Sequence, residues 1–202
     1  MGPKGGRRSD LGITGGGSRV RIIGGLWRGR RLSFPARADL RPSPDRVRET
    51  LFNWLAPHLP GTRCLDLFAG SGVLGFEALS RGAQEATLVE KDPLTETALR
   101  QTAGLLRTET ATIIQDEALR FLAGLSPRSF DIVFLDPPFG TGLLQAALTL
   151  IISHGILAPG GLLYIETAVD ETVAPPAGLR WHRQGRAGQV AFGLVTQAQE
   201  PL

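Results

Sequence analysis

The run Asp136-Pro137-Pro138-Phe139 places a carboxylate, two rigid residues and an aromatic ring directly after an apolar stretch, residues 130–135. That combination suits methylation of an amino group conjugated to a nucleobase ring. Such an amine is a weak nucleophile because its lone pair is delocalised, and it must pyramidalise before it attacks. Two acceptors that take its two N–H bonds favour that geometry, and the Asp136 carboxylate and the Pro137 carbonyl can supply them. The prolines fix the backbone and add no competing donor. Phe139 is placed to stack on an extruded base. These four residues form the candidate catalytic group. The alternative is a proline turn closing a buried strand, with Phe139 in the core.

A second stretch, Cys64-Leu65-Asp66-Leu67-Phe68-Ala69-Gly70-Ser71-Gly72-Val73-Leu74-Gly75, reads as strand, glycine turn and helix. Gly70 and Gly72 let the backbone turn sharply and approach a ligand closely, and the helix then aims its N-terminus at that ligand. Gly70-x-Gly72-x-x-Gly75 also fits a dinucleotide fingerprint. Glu90, 20 residues past Gly70, would hold ribose hydroxyls in a nicotinamide or an S-adenosylmethionine enzyme alike. Asp66 separates the two, because a carboxylate there repels a pyrophosphate and welcomes the amine of a zwitterionic methionine. The 136–139 motif, for which a dehydrogenase has no use, points the same way. The expected cofactor is S-adenosylmethionine, held by Asp66, Phe68, Ala69, Gly70, Ser71, Gly72, Glu90, Asp116, Glu117 and Ala118. Asp116 would meet the adenine edge or cap the helix after it, and Asp92 is read as a helix cap. The sulfonium supplies the electrophile, so no metal is required, and the protein contributes orientation and an in-line approach.

Strands and helices must alternate to bring these groups together. Strands are predicted over 63–68, 86–91, 110–115, 130–135 and 161–167, with helices over 72–81, 93–106, 117–124 and 141–154. That order means an α/β fold, a parallel sheet with helices on both faces. Ligands then bind at the carboxyl ends of the strands, where Asp66, Glu90, Asp116 and Asp136 each terminate a different strand and rim one pocket. A closing hairpin is predicted from Arg180–Gln184 and Val190–Thr196. Upstream, Arg19–Gly24 and Arg30–Phe34 read as a β-hairpin, residues 35–42 as a loop, and Ser43-Pro44 as N-cap and first position of a helix. Val47, Leu51, Trp54 and Leu55 give that helix one apolar face.

Length and composition agree with one full domain plus an appendage: 202 residues, 42% of them apolar. The division read from the sequence is a Gly-rich basic tail over 1–18, expected to be disordered, a hairpin and loop over 19–42, and the main domain over 43–202. The single cysteine, Cys64, excludes a disulfide framework and a cysteine zinc site, and it is read as core. His58, His154 and His182 lack partners at motif spacing and receive no role. No signal peptide or long apolar span is evident, so a cytoplasmic protein with no membrane partner is expected. The net charge of +3 is unevenly placed, with 13 Lys and Arg against 4 Asp and Glu in the first 63 residues and 9 against 15 in the rest. A basic N-terminal third on an acidic body suits a polyanion. Trp27 at the hairpin tip, with Arg28, Arg30 and Arg31, would meet unpaired RNA by stacking and phosphate contact, or Trp27 packs the hairpin onto the main domain.

The sequence resembles the bacterial 16S ribosomal RNA (guanine-N2)-methyltransferase family, RsmD. The resemblance rests on Arg21-Ile22-Ile23-Gly24-Gly25, on Arg41-Pro42-Ser43-Pro44-Asp45-Arg46-Val47-Arg48-Glu49-Thr50-Leu51-Phe52-Asn53-Trp54-Leu55, and on Leu65–Gly72 followed by Gly75–Ala83. It runs from about Arg19 to about Leu194, and the 41–55 block is its most specific part. It implies a class I S-adenosylmethionine-dependent methyltransferase: a Rossmann-like, seven-stranded, mostly parallel sheet with helices on both faces and an N-terminal β-hairpin. The acceptor it implies is the exocyclic N2 of one guanine of 16S rRNA, in the context of the small ribosomal subunit, and the expected state is a monomer. It places Arg46 and Arg48 near the site, as candidates for the cofactor carboxylate or RNA phosphate. Two other readings remain open on the residues alone. One is methylation of adenine N6 or of a protein glutamine amide. The other is a non-catalytic RNA-binding assembly factor.

Overall fold

Runs that are apolar on both faces build the centre of the molecule, as a sheet covered on both sides requires. The computed structural model describes residues 17–36, 42–171 and 173–198. The tail expected over 1–18, except its last two residues, and part of the 35–42 loop with Arg41 lie outside the described residues. In chain order, β1 (Ser18–Arg21) and β2 (Arg31–Phe34) pair antiparallel as a separate two-stranded sheet. Then follow α1 (Asp45–Leu55), β3 (Arg63–Asp66), α2 (Val73–Ser80), β4 (Glu85–Glu90), α3 (Pro93–Leu106), β5 (Ala111–Gln115), α4 (Ala118–Ala123), β6 (Phe130–Leu135), α5 (Leu143–Ser153), β7 (Leu157–Ala168), β8 (Leu179–Ala187) and β9 (Val190–Gln197).

The main sheet has seven strands in the order β5-β4-β3-β6-β7-β9-β8. Its first five strands in that order are parallel, and β9 enters antiparallel between β7 and β8. The chain moves outward from β3 through β4 to β5, then returns to the other side of β3 with β6. The crevice at that reversal, outside the carboxyl ends of β3 and β6, is where such sheets bind ligands. On one face of the sheet a buried apolar layer joins the hairpin, α1, α2 and α3 through Ile22, Leu32, Leu51, Phe52, Phe76 and Leu99. On the other face α4 and α5 cover the sheet through Leu122, Leu144, Leu148 and Ile151. Cys64 lies in the first layer as expected, and burial pushes its thiol up to about 12.

The N-terminal hairpin is clamped to α2. The backbone N–H groups of Ile23 and Gly24 donate to the two oxygens of Glu77, both at 2.7 Å. Ser80 Oγ donates to the Gly24 carbonyl at 2.6 Å and accepts from the Trp27 N–H at 2.9 Å, while the Leu26 N–H reaches the Ser80 carbonyl at 2.7 Å. Gly25 sits at φ +73°, and a Cβ there would fall 1.7 Å from the Ser80 carbonyl oxygen, so only glycine allows this approach. Trp27 is half-buried and packs against the core.

Two sequence expectations are corrected here. Ser43 is not a helix cap. Pro44 occupies the cap position of α1 with no side-chain cap bond, and the Ser43 hydroxyl is turned into the interior, where it donates to the Glu166 carboxylate in a charge-assisted hydrogen bond. Arg48 is not a surface group for phosphate. It is fully buried, donating to the Ser43 carbonyl (3.1 Å), the Arg21 carbonyl (2.9 Å) and Asp45 Oδ1 (2.5 Å), with Glu77 at 3.7 Å. Its donors are spent on joining the hairpin, α1 and α2.

Candidate active site

A cavity of about 630 Å³ opens at the carboxyl ends of β3, β4, β5 and β6. Nine of the ten residues predicted to hold the cofactor line it, as do all four of the 136–139 motif; Gly72 does not, its place being in the turn behind them. The sheet reversal brings these sequence-distant groups together. Arg28, Arg30, Arg31 and Arg46 do not line the cavity, and all four are exposed.

The glycine turn is built as its sequence requires. Gly70 and Gly72 both adopt positive φ, +50° and +72°. A Cβ on Gly72 would meet Leu99 Cδ2 at 2.5 Å and Phe76 Cε2 at 2.8 Å. Glu90 Oε2 accepts from the Gly70 N–H at 2.9 Å and Oε1 from the Asp92 N–H at 2.8 Å, which orients the carboxylate over the turn. Asp92 caps α3 through Thr95, as expected. Asp116 is not the cap of α4, which is Glu117. Its Oδ1 accepts from the Glu117 N–H at 2.7 Å and pairs with Arg120.

Asp66 is buried, with Oδ2 accepting from the Gly75 N–H at 3.0 Å. Burial pushes its carboxyl up to about 7, against the pull of that hydrogen bond, with the nearby Glu90 charge adding to the rise. A carboxylate desolvated in this way gains by meeting a cation, and an ammonium group is such a partner. The residues therefore fit S-adenosylmethionine: a glycine turn that reaches the cavity at Gly70, an acid for the amine, and acids after the next two strands for ribose and adenine.

Asp136 stands beside a group that the sequence reading did not assign. Ser43 Oγ lies 2.7 Å from Glu166 Oε2 and 3.2 Å from Asp136 Oδ2, and the Tyr164 hydroxyl donates to the same Glu166 oxygen at 2.6 Å. Burial raises the Asp136 carboxyl well above the ordinary range, and the neighbouring Glu166 and Asp66 charges raise it further. Burial likewise raises Glu166, opposed by the bonds from Tyr164 and Ser43. A signal for Glu166 was present: like the four predicted acids, it stands near the carboxyl end of a strand, β7. Phe139 lines the cavity and is 44% exposed.

This sheet order, with β9 antiparallel beside β7 and a glycine turn after β3, defines a class I S-adenosylmethionine-dependent methyltransferase. The family model described as "Conserved hypothetical protein 95" matches residues 20–196. Ribosomal RNA small subunit methyltransferase D of Escherichia coli is 47% identical over 180 residues, covering 89% of this chain and 90% of the relative. The Haemophilus influenzae protein of the same name is 43% identical, covering 87% and 92%. The solved structure of yhhF from Escherichia coli superposes with a TM-score of 0.80 at 47% identity, covering 89% of this chain and 98% of that one. The 16S rRNA N2 G1207 methyltransferase RsmC of Thermus thermophilus shares the fold, with a TM-score of 0.68 at 20% identity, over 91% of this chain and 50% of that one. The chain belongs to the RsmD family.

Proposed function

We propose that this protein transfers a methyl group from S-adenosylmethionine to the exocyclic N2 of a guanine in 16S rRNA of the small ribosomal subunit. The observation that carries the reading is the meeting of Asp136-Pro137-Pro138-Phe139 with the glycine turn and the strand-end acids in one cavity. The names of the relatives support small-subunit ribosomal RNA as the substrate. S-adenosylmethionine, when bound, supplies an electrophilic methyl group on a positively charged sulfur.

The chain's residues supply binding and orientation. Asp66 faces the amine of the methionine moiety, Glu90 the ribose hydroxyls, and Asp116 with Glu117 and Ala118 the adenine. Asp136 and the Pro137 carbonyl accept the two N–H bonds of the target amine, and Phe139 stacks on the extruded base. With the cofactor bound in that cavity, these contacts would turn the N2 lone pair toward the methyl group that the sulfonium supplies, the sulfur leaving as a neutral thioether. The surplus proton on nitrogen leaves to Asp136 or to water. A guanine in a loop costs less to extrude than one in a duplex, so a loop nucleotide is the favoured target.

Residues 19–42 form the RNA-facing extension and 43–202 the methyltransferase domain in this account. Exposed Arg28, Arg30 and Arg31 on the clamped hairpin, with Arg46 on α1, are the groups for phosphate. Replacing Arg28, Arg30 and Arg31 with glutamine is expected to weaken RNA binding. It should also reduce the slope of log affinity against log salt by about 0.7–0.9 for each phosphate contact removed. An unchanged slope in a filter-binding titration removes the hairpin from the RNA surface.

A second prediction follows from Asp66. Its carboxyl, at about 7 without a cation beside it, falls toward the ordinary range when an ammonium group binds. Binding therefore favours the ionised form and expels a proton. Affinity for S-adenosylhomocysteine, which keeps that amine, should rise with pH up to about 7 and flatten above it. Calorimetry at pH 6.5 in buffers of different ionisation enthalpy reads the released proton, and a binding enthalpy independent of buffer contradicts the assignment.

The function is tested by incubating the protein with labelled S-adenosylmethionine and small ribosomal subunits that lack their own modification. Label is expected in 16S rRNA. Label confined to protein or to large-subunit RNA defeats the reading.

A further inference from the structure

Glu166 is buried at 3% exposure, yet it lines the catalytic cavity. Its Oε2 accepts from both Ser43 and Tyr164, which fixes the carboxylate plane. Its Oε1 meets no donor among the described residues and is not sealed from the cavity, since no buried side-chain oxygen or nitrogen among them lacks a hydrogen bond. Asp136 is arranged in parallel: Oδ2 is turned to Ser43 and Oδ1 is left without a protein donor. The Ser43 hydroxyl thus stands between two carboxyl groups, its one proton on the nearer Glu166 oxygen and Asp136 Oδ2 at 3.2 Å, each group with one oxygen left over.

We propose that Glu166 selects guanine by accepting its ring N1–H, next to the N2 amine held by Asp136. This rests on the reading of the target as guanine N2. The Watson–Crick edge of guanine presents N1–H and N2–H as adjacent donors, and two adjacent carboxylates match that edge. Adenine presents a donor at N6 beside a bare acceptor at N1, which a carboxylate oxygen repels. Sites built to hydrogen-bond a substrate N–H reject analogues lacking it strongly, because a buried polar group is then left unpaired. Tyr164 and Ser43 both donate to Oε2, which opposes the effect of burial on the glutamate, and with Oε2 so engaged Oε1 is the oxygen that faces the base. Glu166 is a specificity-determining residue in this account, and Ser43 and Tyr164 are positioning residues.

The test uses small subunits reconstituted with 16S rRNA that carries either guanine or 2-aminopurine at the modified nucleotide. 2-Aminopurine keeps the N2 amine but has a lone pair at N1. The full-length protein is expected to favour guanine by at least about 100-fold in kcat/KM. In Glu166→Gln, the amide oxygen can keep the bonds from Ser43 and Tyr164 while the NH₂ group faces the cavity as a donor. Guanine should then lose rate, and the guanine to 2-aminopurine ratio should fall below about tenfold. Affinity for S-adenosylhomocysteine should stay unchanged, which reports a folded cofactor site. Equal loss on both bases marks a purely structural role and overturns the proposal. So does wild-type protein that uses both bases equally, a result that needs no variant. A methyl group found on an atom other than N2 defeats the functional reading itself. N2-methylguanosine without discrimination at N1 defeats only the role of Glu166.

Discussion

Replacing Asp136 with alanine lowers the rate of methyl transfer by about 100- to 1,000-fold in this account, the usual effect of deleting one preorganised group that meets charge developing in the transition state. The same substitution leaves the protein folded. The Asp136 carboxyl is raised well above its ordinary value by burial and by Glu166 and Asp66, so the folded state binds its proton more tightly than the unfolded chain does. Contributions of that sign are favourable below the unfolded pKa and are lost as pH rises through the folded one. At pH 8, above the unfolded value, the buried Asp136 carboxyl is therefore a cost to folding. Asp136→Ala is expected to melt no lower than wild type at that pH and to bind S-adenosylhomocysteine normally. A transfer rate that survives the substitution contradicts the role given to the 136–139 motif. A large fall in melting temperature contradicts the electrostatics given to the site.

The second large effect is structural. Glu77 is fully buried and accepts from two hairpin amides, from Arg81 Nε at 2.7 Å, and faces Arg48 at 3.7 Å. Breaking a buried charge pair by removing one partner costs about 3–5 kcal/mol, because the remaining charge is stranded. Glu77→Ala removes one of the two carboxylates beside buried Arg48, leaving Asp45, and leaves the Ile23 and Gly24 N–H groups without their acceptor. Thermal melting should show a loss of that size. Limited proteolysis should cut between residues 18 and 36 before it cuts the sheet. A variant that melts within about 1 kcal/mol of wild type, an effect typical of an exposed ion pair, shows that the hairpin is held by its apolar contacts alone.

Much of the site was legible in the sequence because its groups sit at strand ends, and a strand announces itself by its apolar run. Asp66, Glu90, Asp116 and Asp136 could be placed around one pocket from periodicity and the rule for parallel sheets. The glycine turn declared its own conformation. Other features were not legible because they depend on contacts between distant segments. Ser43 before Pro44 is a good helix-cap signal, and nothing local indicates that Glu166, 123 residues away, will claim its hydroxyl. Arg48 looks like a surface arginine until the Arg21 carbonyl and Glu77 close over it. The hairpin was predicted from alternation, but its clamp on Glu77 and Ser80 is a tertiary fit that neither segment encodes alone. Glu166 itself obeyed the strand-end pattern and was missed because the 161–167 run was read for its apolar residues.

The central claim is that the amine methylated is N2 of guanine. It is tested most directly by digesting the labelled small-subunit RNA to nucleosides and identifying the methylated one by mass spectrometry against standards. The account predicts N2-methylguanosine as the single labelled nucleoside. N6-methyladenosine, or a guanosine methylated at another atom, would contradict it.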